Sequence, residues 1–261
     1  MPIVSTFCKK GGVGKTTFLG YLAHYYANQG KTVLVISADD QNSIFKIFGC
    51  ENYVFDRDDD FLENLLVGEK KPEEVVFEAR PGMYLMKTLN TDRLSINLTL
   101  KRSEEKKLRG LIEDFTNYFD YIFIDFPPSS SRLTEILLDI SEKILLVVGL
   151  DPLGIDGYKN TIQYFVDCDI EIDKISHIIP IGYHPIKITP NKSLKELKIL
   201  AQNYSPKAII ATPIKDKAVI QNLQAEGISV FDNHTMKDKF HQKNLNEISK
   251  DLTEVYKSIV L

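Results

Sequence analysis

The chain has no uninterrupted apolar run of about 18 residues, which excludes a helix built to cross a bilayer. No amino-terminal targeting segment is expected, since the first residues already read as a strand. Paired cysteines are absent: Cys8, Cys50 and Cys168 are far apart and odd in number. That excludes a disulfide framework and a cysteine zinc site, and fits a reducing compartment. There is no excess of positive charge, with 32 basic residues against 36 acidic ones and a net charge of −4. A wholly basic nucleic-acid binder is excluded, whereas a local basic patch is not. Arginine is scarce, 6 residues beside 26 lysines, so any basic surface consists of point charges rather than bidentate forks. Internal repeats, low-complexity tracts and obvious linkers are also missing. The 261 residues, 43% of them hydrophobic, fit one large α/β domain spanning residues 1–261.

What the chain does have is Lys9-Lys10-Gly11-Gly12-Val13-Gly14-Lys15-Thr16-Thr17. The short β-prone run Ile3–Phe7 precedes it, and Phe18 to Gln29 follows with Leu19, Leu22, Ala23 and Tyr26 at helical spacing. The glycines therefore occupy a strand-to-helix turn. Residues without Cβ let the backbone curl and turn successive N–H groups inward, and the helix N-terminus adds partial positive charge. In such a loop Lys15 reaches the β- and γ-phosphates and the Thr16 hydroxyl joins Mg²⁺.

The ordinary phosphate-loop pattern asks for glycine where Lys9 stands, so it fails by one residue. Lys10-Gly11-Gly12-Val13-Gly14-Lys15-Thr16 instead resembles the deviant Walker A box of the ParA/MinD superfamily. The resemblance implies a mostly parallel central sheet with helices on both faces, the P-loop NTPase fold of SIMIBI type. It also implies that Lys10 crosses a dimer interface to the partner's nucleotide.

Further boxes extend the resemblance from Ile3 to about Val230. The apolar run Lys31–Ser37 leads into Asp39-Asp40-Gln41-Asn42, similar to the Asp-x-Asp-Pro-Gln-Gly box of ParA-like proteins. Asp39 matches the second aspartate and Gln41 the glutamine. Ser37, Asp40 and Asn42 replace the first aspartate, the proline and the glycine. The family implies that Asp39 helps place the attacking water and the Mg²⁺ shell. Tyr121-Ile122-Phe123-Ile124-Asp125 has the Walker B form, four strand residues ending in an aspartate suited to hold Mg²⁺ through water. Phe126-Pro127-Pro128 resembles the family's Asp-x-Pro-Pro turn. Thr212 to Val230 resembles its final strand and base-wrapping loop, making the backbone near Pro213 the candidate for adenine recognition.

Between these boxes the pattern is plainer. Glu51 to Gly82 is acidic, with a short helix at 61–66 ending near Gly68. Residues 83–87 read as a strand, 88–98 as a loop and 104–118 as an amphipathic helix. Strands follow at 143–150 and 175–181. A helix at 194–202, with Ser193 as its N-cap, precedes a last strand at 208–214. The terminal helix from Asn244 places Leu245, Ile248, Leu252, Val255 and Ile259 at helical spacing, with lysines balanced by acids. It reads as packed on the core rather than bound to a membrane.

The function implied is that of a ParA-type partition ATPase with ATP and Mg²⁺ as cofactors. Its ATP-bound homodimer binds DNA without sequence preference, and a ParB-like centromere-binding partner stimulates hydrolysis. Lys187, Lys192, Lys195, Lys215 and Lys217 are the candidate DNA contacts. A cytoplasmic, nucleoid-associated protein without stable membrane insertion is expected. The alternatives are a MinD-like positioning ATPase at a membrane or protein scaffold, and a non-hydrolysing switch suggested by Ser37. A redox relative of the nitrogenase iron protein is opposed by the cysteine positions.

Overall fold

The computed structural model describes residues 2–56, 61–215, 218–233 and 239–259. In chain order the elements are β1 (Ile3–Phe7), α1 (Lys15–Ala27), β2 (Val33–Ser37), α2 (Ser43–Ile47), α3 (Glu51–Asp56), α4 (Leu62–Val67), α5 (Pro72–Val75), β3 (Val76–Arg80) and β4 (Met83–Met86). Then come α6 (Thr91–Leu100), α7 (Arg102–Phe115), β5 (Tyr121–Asp125), α8 (Arg132–Ile140), β6 (Lys143–Gly149), α9 (Pro152–Asp167), β7 (Ile175–Tyr183) and α10 (Ile188–Tyr204). The chain closes with β8 (Ile209–Ile210), β9 (Ile214–Lys215), α11 (Ala218–Ala225) and α12 (Lys239–Ser258).

The strands lie in the order β3-β4-β2-β5-β1-β6-β7-β8, with β9 also pairing β7. Every pairing is parallel except β3 with β4. Helical crossovers return the chain to the same sheet edge and cover both faces, so the central strands are buried and mostly apolar, with Ser5 and Thr6 of β1 buried polar residues among them. Successive side chains alternate between two cores. Ile122 and Ile124 join the core under α4 and α6–α10, while Phe123 joins the core under α1, α2, α11 and α12. The expected parallel α/β architecture is what forms. Because β1 lies between β5 and β6, the chain leaves its carboxyl end at a point where neighbouring connections diverge. Open α/β sheets bind ligands in such crevices.

Several expectations are corrected. Residues 88–98 are not a loop: α6 spans most of them, capped by the Asn90 side chain accepting from the Arg93 N–H at 2.8 Å. Only Leu94, Ser95 and Leu98 of this helix are buried, so its periodicity in sequence is faint. The helix expected at 194–202 starts at Ile188, and Ser193 is buried inside it rather than capping it. Pro190 sits in its first turn, where a missing N–H leaves no bond unmade. The last strand is split into β8 and β9, with Pro213 between them unable to donate to the ladder. The acidic stretch contributes α3, α5 and the antiparallel edge strand β3, none of them expected; its residues 57–60 lie outside the described residues.

The terminal helix packs on the core as expected, but it begins at Lys239 rather than Asn244 and ends at Ser258. Leu245, Ile248, Leu252, Val255 and Tyr256 are buried in the core over α1, and the Tyr256 hydroxyl donates to the Phe18 carbonyl at 3.0 Å. Among the described residues no helix is long and apolar enough to cross a membrane.

Candidate nucleotide site

The loop between β1 and α1 curls around its own lysine. Gly12 and Gly14 have φ of 72° and 88°, the left-handed region that a side chain would strain, and Gly14 turns the chain into α1. The Lys15 ammonium donates to the carbonyl oxygens of Cys8 at 3.3 Å and Lys10 at 3.2 Å, and only 6% of the residue is exposed. Burial lowers its pKa below the ordinary lysine range, while Asp125 and Asp39 are among the neighbours that oppose the shift. A cation held this way is already aimed at the site where an anion would sit on the helix N-terminus.

Asp125 ends β5 beside it and is 1% exposed. Its carboxylate accepts the Thr16 hydroxyl at 3.1 Å. Burial pushes its pKa up to about 7; the Thr16 bond and Lys15 oppose the rise, and Asp39 adds to it. A buried carboxylate this poorly compensated gains from a nearby cation. Two hard oxygen ligands fit Mg²⁺, which fills its remaining positions from phosphate and water. Among the described residues no cluster of three or more His, Cys, Asp or Glu could hold a metal alone.

The Asp39 loop shows how this chain accommodates its departures. Ser37 is opposite Asp125 in the β2–β5 register, fully buried, and its hydroxyl donates to the Asp39 carbonyl at 2.9 Å. The neutral hydroxyl thus fixes the loop backbone and adds no second charge beside Asp125. Asn42 stands where the resembled box has glycine and keeps a left-handed φ of 46°, which Asn tolerates. It is locked there by exchanging hydrogen bonds with the Thr88 backbone, at 2.8 and 3.1 Å. The Asp39 carboxylate accepts the Gln41 N–H at 3.0 Å and faces the cavity. Asp40 accepts instead from Thr91 at 3.2 Å and from Gln41 at 3.1 Å.

Two cavities meet over this loop. One, of about 520 Å³, runs from Lys15, Thr16 and Asp39 to Lys46 of α2 and Gln224 of α11. The other, of about 280 Å³, is mostly apolar, walled by Phe18, Tyr21, Ile181, Ile214 and Leu252. Its wall includes Ile214 and Lys215, the two residues that follow Pro213, the candidate for base recognition. Lys46, Gln221 and Gln224 carry no motif that would reveal them in sequence; only the packing of α2 and α11 brings them to the loop.

The three lysines of the motif have different environments. The Lys9 ammonium bonds the Ser130 hydroxyl and lies 4.7 Å from the Tyr164 ring centroid. Lys15 is turned inward. The Lys10 ammonium has no hydrogen bond or ion pair among the described residues, and its stem lies along α9. A Cβ on Gly157 would come within 2.7 Å of the Lys10 Cβ, so glycine is what permits this path.

The family model described as an AAA domain, AAA_31, matches residues 1–175. The chain belongs to the ParA/MinD superfamily of P-loop ATPases. This superfamily member is 24% identical over 224 residues to the cell division protein PomZ of Myxococcus xanthus, covering 85% of this chain and 69% of PomZ. It is 27% identical over 157 residues to an uncharacterized protein of Pseudomonas putida, and the match spans only 59% of that relative's length. Apo McdA of Cyanothece superposes with a TM-score of 0.79 at 16% identity, covering 99% of both chains. McdA in complex with ATP gives 0.75 at 18% identity, covering 97% of this chain and 96% of McdA. A plasmid partition protein of Borrelia burgdorferi gives 0.69 at 18% identity, covering 99% of both. At these identities the structural likeness is one of fold.

The candidate DNA contacts of this ParA/MinD-family chain that are described lie at the start of α10 and on β9. Lys187, Lys192 and Lys195 are exposed around the start of α10. Lys215 borders the smaller cavity, 3.4 Å from Asp251. Lys217 lies outside the described residues.

Proposed function

We propose that the protein is a partition or positioning ATPase of ParA type, working as a single domain. Lys15 and the backbone of Gly11–Thr17 bind the triphosphate, Thr16 and Asp125 hold its Mg²⁺, and Asp39 orients the hydrolytic water. The observation that carries the reading is the contrast between Lys15, turned into the loop, and Lys10, whose ammonium has no hydrogen bond or ion pair among the described residues, as expected of a lysine meant for another subunit. Two triphosphates buried face to face carry many negative charges. A lysine supplied from each subunit offsets them, so dimerisation becomes conditional on the nucleotide. McdA in complex with ATP, which shares the fold, supports ATP as the ligand.

The proposed scaffold is DNA, bound without sequence preference by lysines that neutralise phosphates and release counterions. Lys187, Lys192 and Lys195 are the leading contacts, since they are exposed on one helix end. A ParB-like partner stimulates hydrolysis and so releases the dimer, giving a cytoplasmic protein that resides on the nucleoid. The likeness to a plasmid partition protein supports this choice.

The test is retention on a non-specific DNA duplex with ATP, ADP or no nucleotide, at two salt concentrations. Salt-sensitive retention with ATP alone is expected. Equal retention in all three states, or none in any, would remove DNA from the cycle.

A further inference from the structure

Gln224 and Thr17 are 207 residues apart, yet the Gln224 Nε2 donates to the Thr17 Oγ1 at 2.6 Å. Both residues border both cavities. Thr17 is in the first turn of α1, one residue beyond the Thr16 hydroxyl bonded to Asp125. Gln221, one turn before Gln224, lies on the same side of α11 and also borders both cavities.

A threonine hydroxyl has one proton and two lone pairs, and its proton swings freely unless a neighbour fixes it. When a lone pair accepts from Gln224, the remaining proton must point elsewhere. Among the described residues the Thr17 hydroxyl donates to no protein acceptor. The side left open is the cavity above the helix N-terminus, where an anion would lie.

We propose that Gln224 is a positioning residue for nucleotide binding: by donating to Thr17 it turns the Thr17 proton toward the phosphates held over the Gly11–Thr17 loop. This rests on the nucleotide-binding reading above. The arrangement sets the hydroxyl in its donating orientation before the ligand arrives, which removes an ordering cost from binding. It also ties α11 to the occupancy of the phosphate loop through a single hydrogen bond. The sign of the effect is fixed by chemistry. A carboxylate at 224 would accept rather than donate, draw the Thr17 proton away from the phosphates and add a repelling charge.

The test is ATP affinity by calorimetry for the wild type, Lys15→Ala, Thr17→Val, Gln224→Ala, Gln224→Glu and the Thr17→Val/Gln224→Ala double variant. Each protein is checked for an unchanged melting profile. Gln224→Ala should weaken ATP about fivefold, the size of one neutral hydrogen bond. Gln224→Glu should weaken it on the order of tenfold further, because a repelled phosphate replaces a merely unoriented hydroxyl. In the Thr17→Val background Gln224→Ala should cost less than about twofold, since groups that act through one another are not additive. Equal losses in both backgrounds, or Gln224→Glu binding as well as the wild type, would overturn the proposal. Lys15→Ala reports separately: if it retains full affinity, the phosphate-loop reading itself fails, whatever the Gln224 series shows.

Discussion

The Thr16 hydroxyl donates to the Asp125 carboxylate at 3.1 Å, joining the start of α1 to the end of β5. The two residues are 109 positions apart, yet both lie at the carboxyl edge of the sheet. Removing either should have the same signature. Asp125→Asn or Thr16→Ala should lose most of the Mg²⁺-dependent gain in nucleotide affinity while leaving metal-free binding within a few fold, read by titration with and without EDTA. Asp125→Asn should also raise the melting temperature of the nucleotide-free protein at pH 8, since it replaces a buried, undercompensated charge. A lower melting temperature would contradict the account of Asp125.

Lys15 and Lys10 should separate cleanly. Lys15→Ala removes the central cation and should weaken ATP by at least about a hundredfold, the size of a charge-assisted hydrogen bond removed from a buried site. Lys10→Ala should bind ATP as a monomer within about threefold of the wild type and fail to dimerise with it. Light scattering with ATP decides this; a fully dimeric Lys10→Ala would end the cross-subunit role.

Asp39 faces the cavity without bonding Lys15 or Thr16. Asp39→Ala should keep ATP affinity and lower turnover on the order of a hundredfold or more, as when a positioned base or water-orienting group is removed. The protein should then accumulate as the ATP-bound dimer, visible by gel filtration. Loss of binding in place of turnover would return Asp39 to a structural role in its turn.

If the lysines around the start of α10 contact DNA phosphates, replacing Lys192 and Lys195 together by Ala should flatten the dependence of log affinity on log salt by about 2. ATP binding should be unaffected, since neither residue borders the two cavities over the Gly11–Thr17 loop. An unchanged slope would move the DNA contacts elsewhere.

His24 gives a stability prediction with a definite sign. It is buried on α1, its Nδ1 2.8 Å from the Ser229 hydroxyl and its Nε2 3.9 Å from Asp232, which also pairs with Arg80 at 2.7 Å. Burial lowers its pKa to about 4; Asp232 opposes the shift and Arg80 adds to it. Between the ordinary histidine value, about 6.5, and 4, the unfolded chain takes up a proton that the folded chain does not. Stability should therefore fall as pH drops through this window, by roughly 3 kcal/mol in all. His24→Gln should flatten that dependence in denaturant titrations at pH 4.5 and 7; an identical slope would show that other groups dominate acid unfolding.

Much of the fold and the centre of the site were legible in the sequence. Strands buried on both faces are mostly apolar, so β2, β5 and β6 stand out as apolar runs, and β1 is legible as a short β-prone run despite Ser5 and Thr6. The phosphate loop is local: its glycines, Lys15 and Thr16 are consecutive, and the backbone geometry they require depends on neighbours a few residues away. Asp125 was recognisable because a strand-end aspartate follows four apolar residues.

What tertiary structure alone decided has no local periodicity or consecutive spacing to announce it. α6 buries too few residues to print a helical pattern, and α10 begins at Ile188, which is itself exposed and followed by Thr189 and Pro190, so no apolar stripe at helical spacing marks its start. That Ile214 and Lys215 wall the smaller cavity depends on how β8 and β9 split along β7. The functions of Ser37 and Asn42 depend on Asp39 and Thr88, one near and one remote in the chain. Gln224 reaches Thr17 only because α11 packs across the sheet's second face. Sequence by itself determined the candidate phosphate loop, because its residues are consecutive, and marked Asp125 as a strand-end carboxylate; that Asp125 meets Thr16, 109 positions away, is a property of the sheet. Only the folded chain determined what orients them and what walls them in, because those contacts join segments that meet through burial of two cores on opposite faces of one sheet.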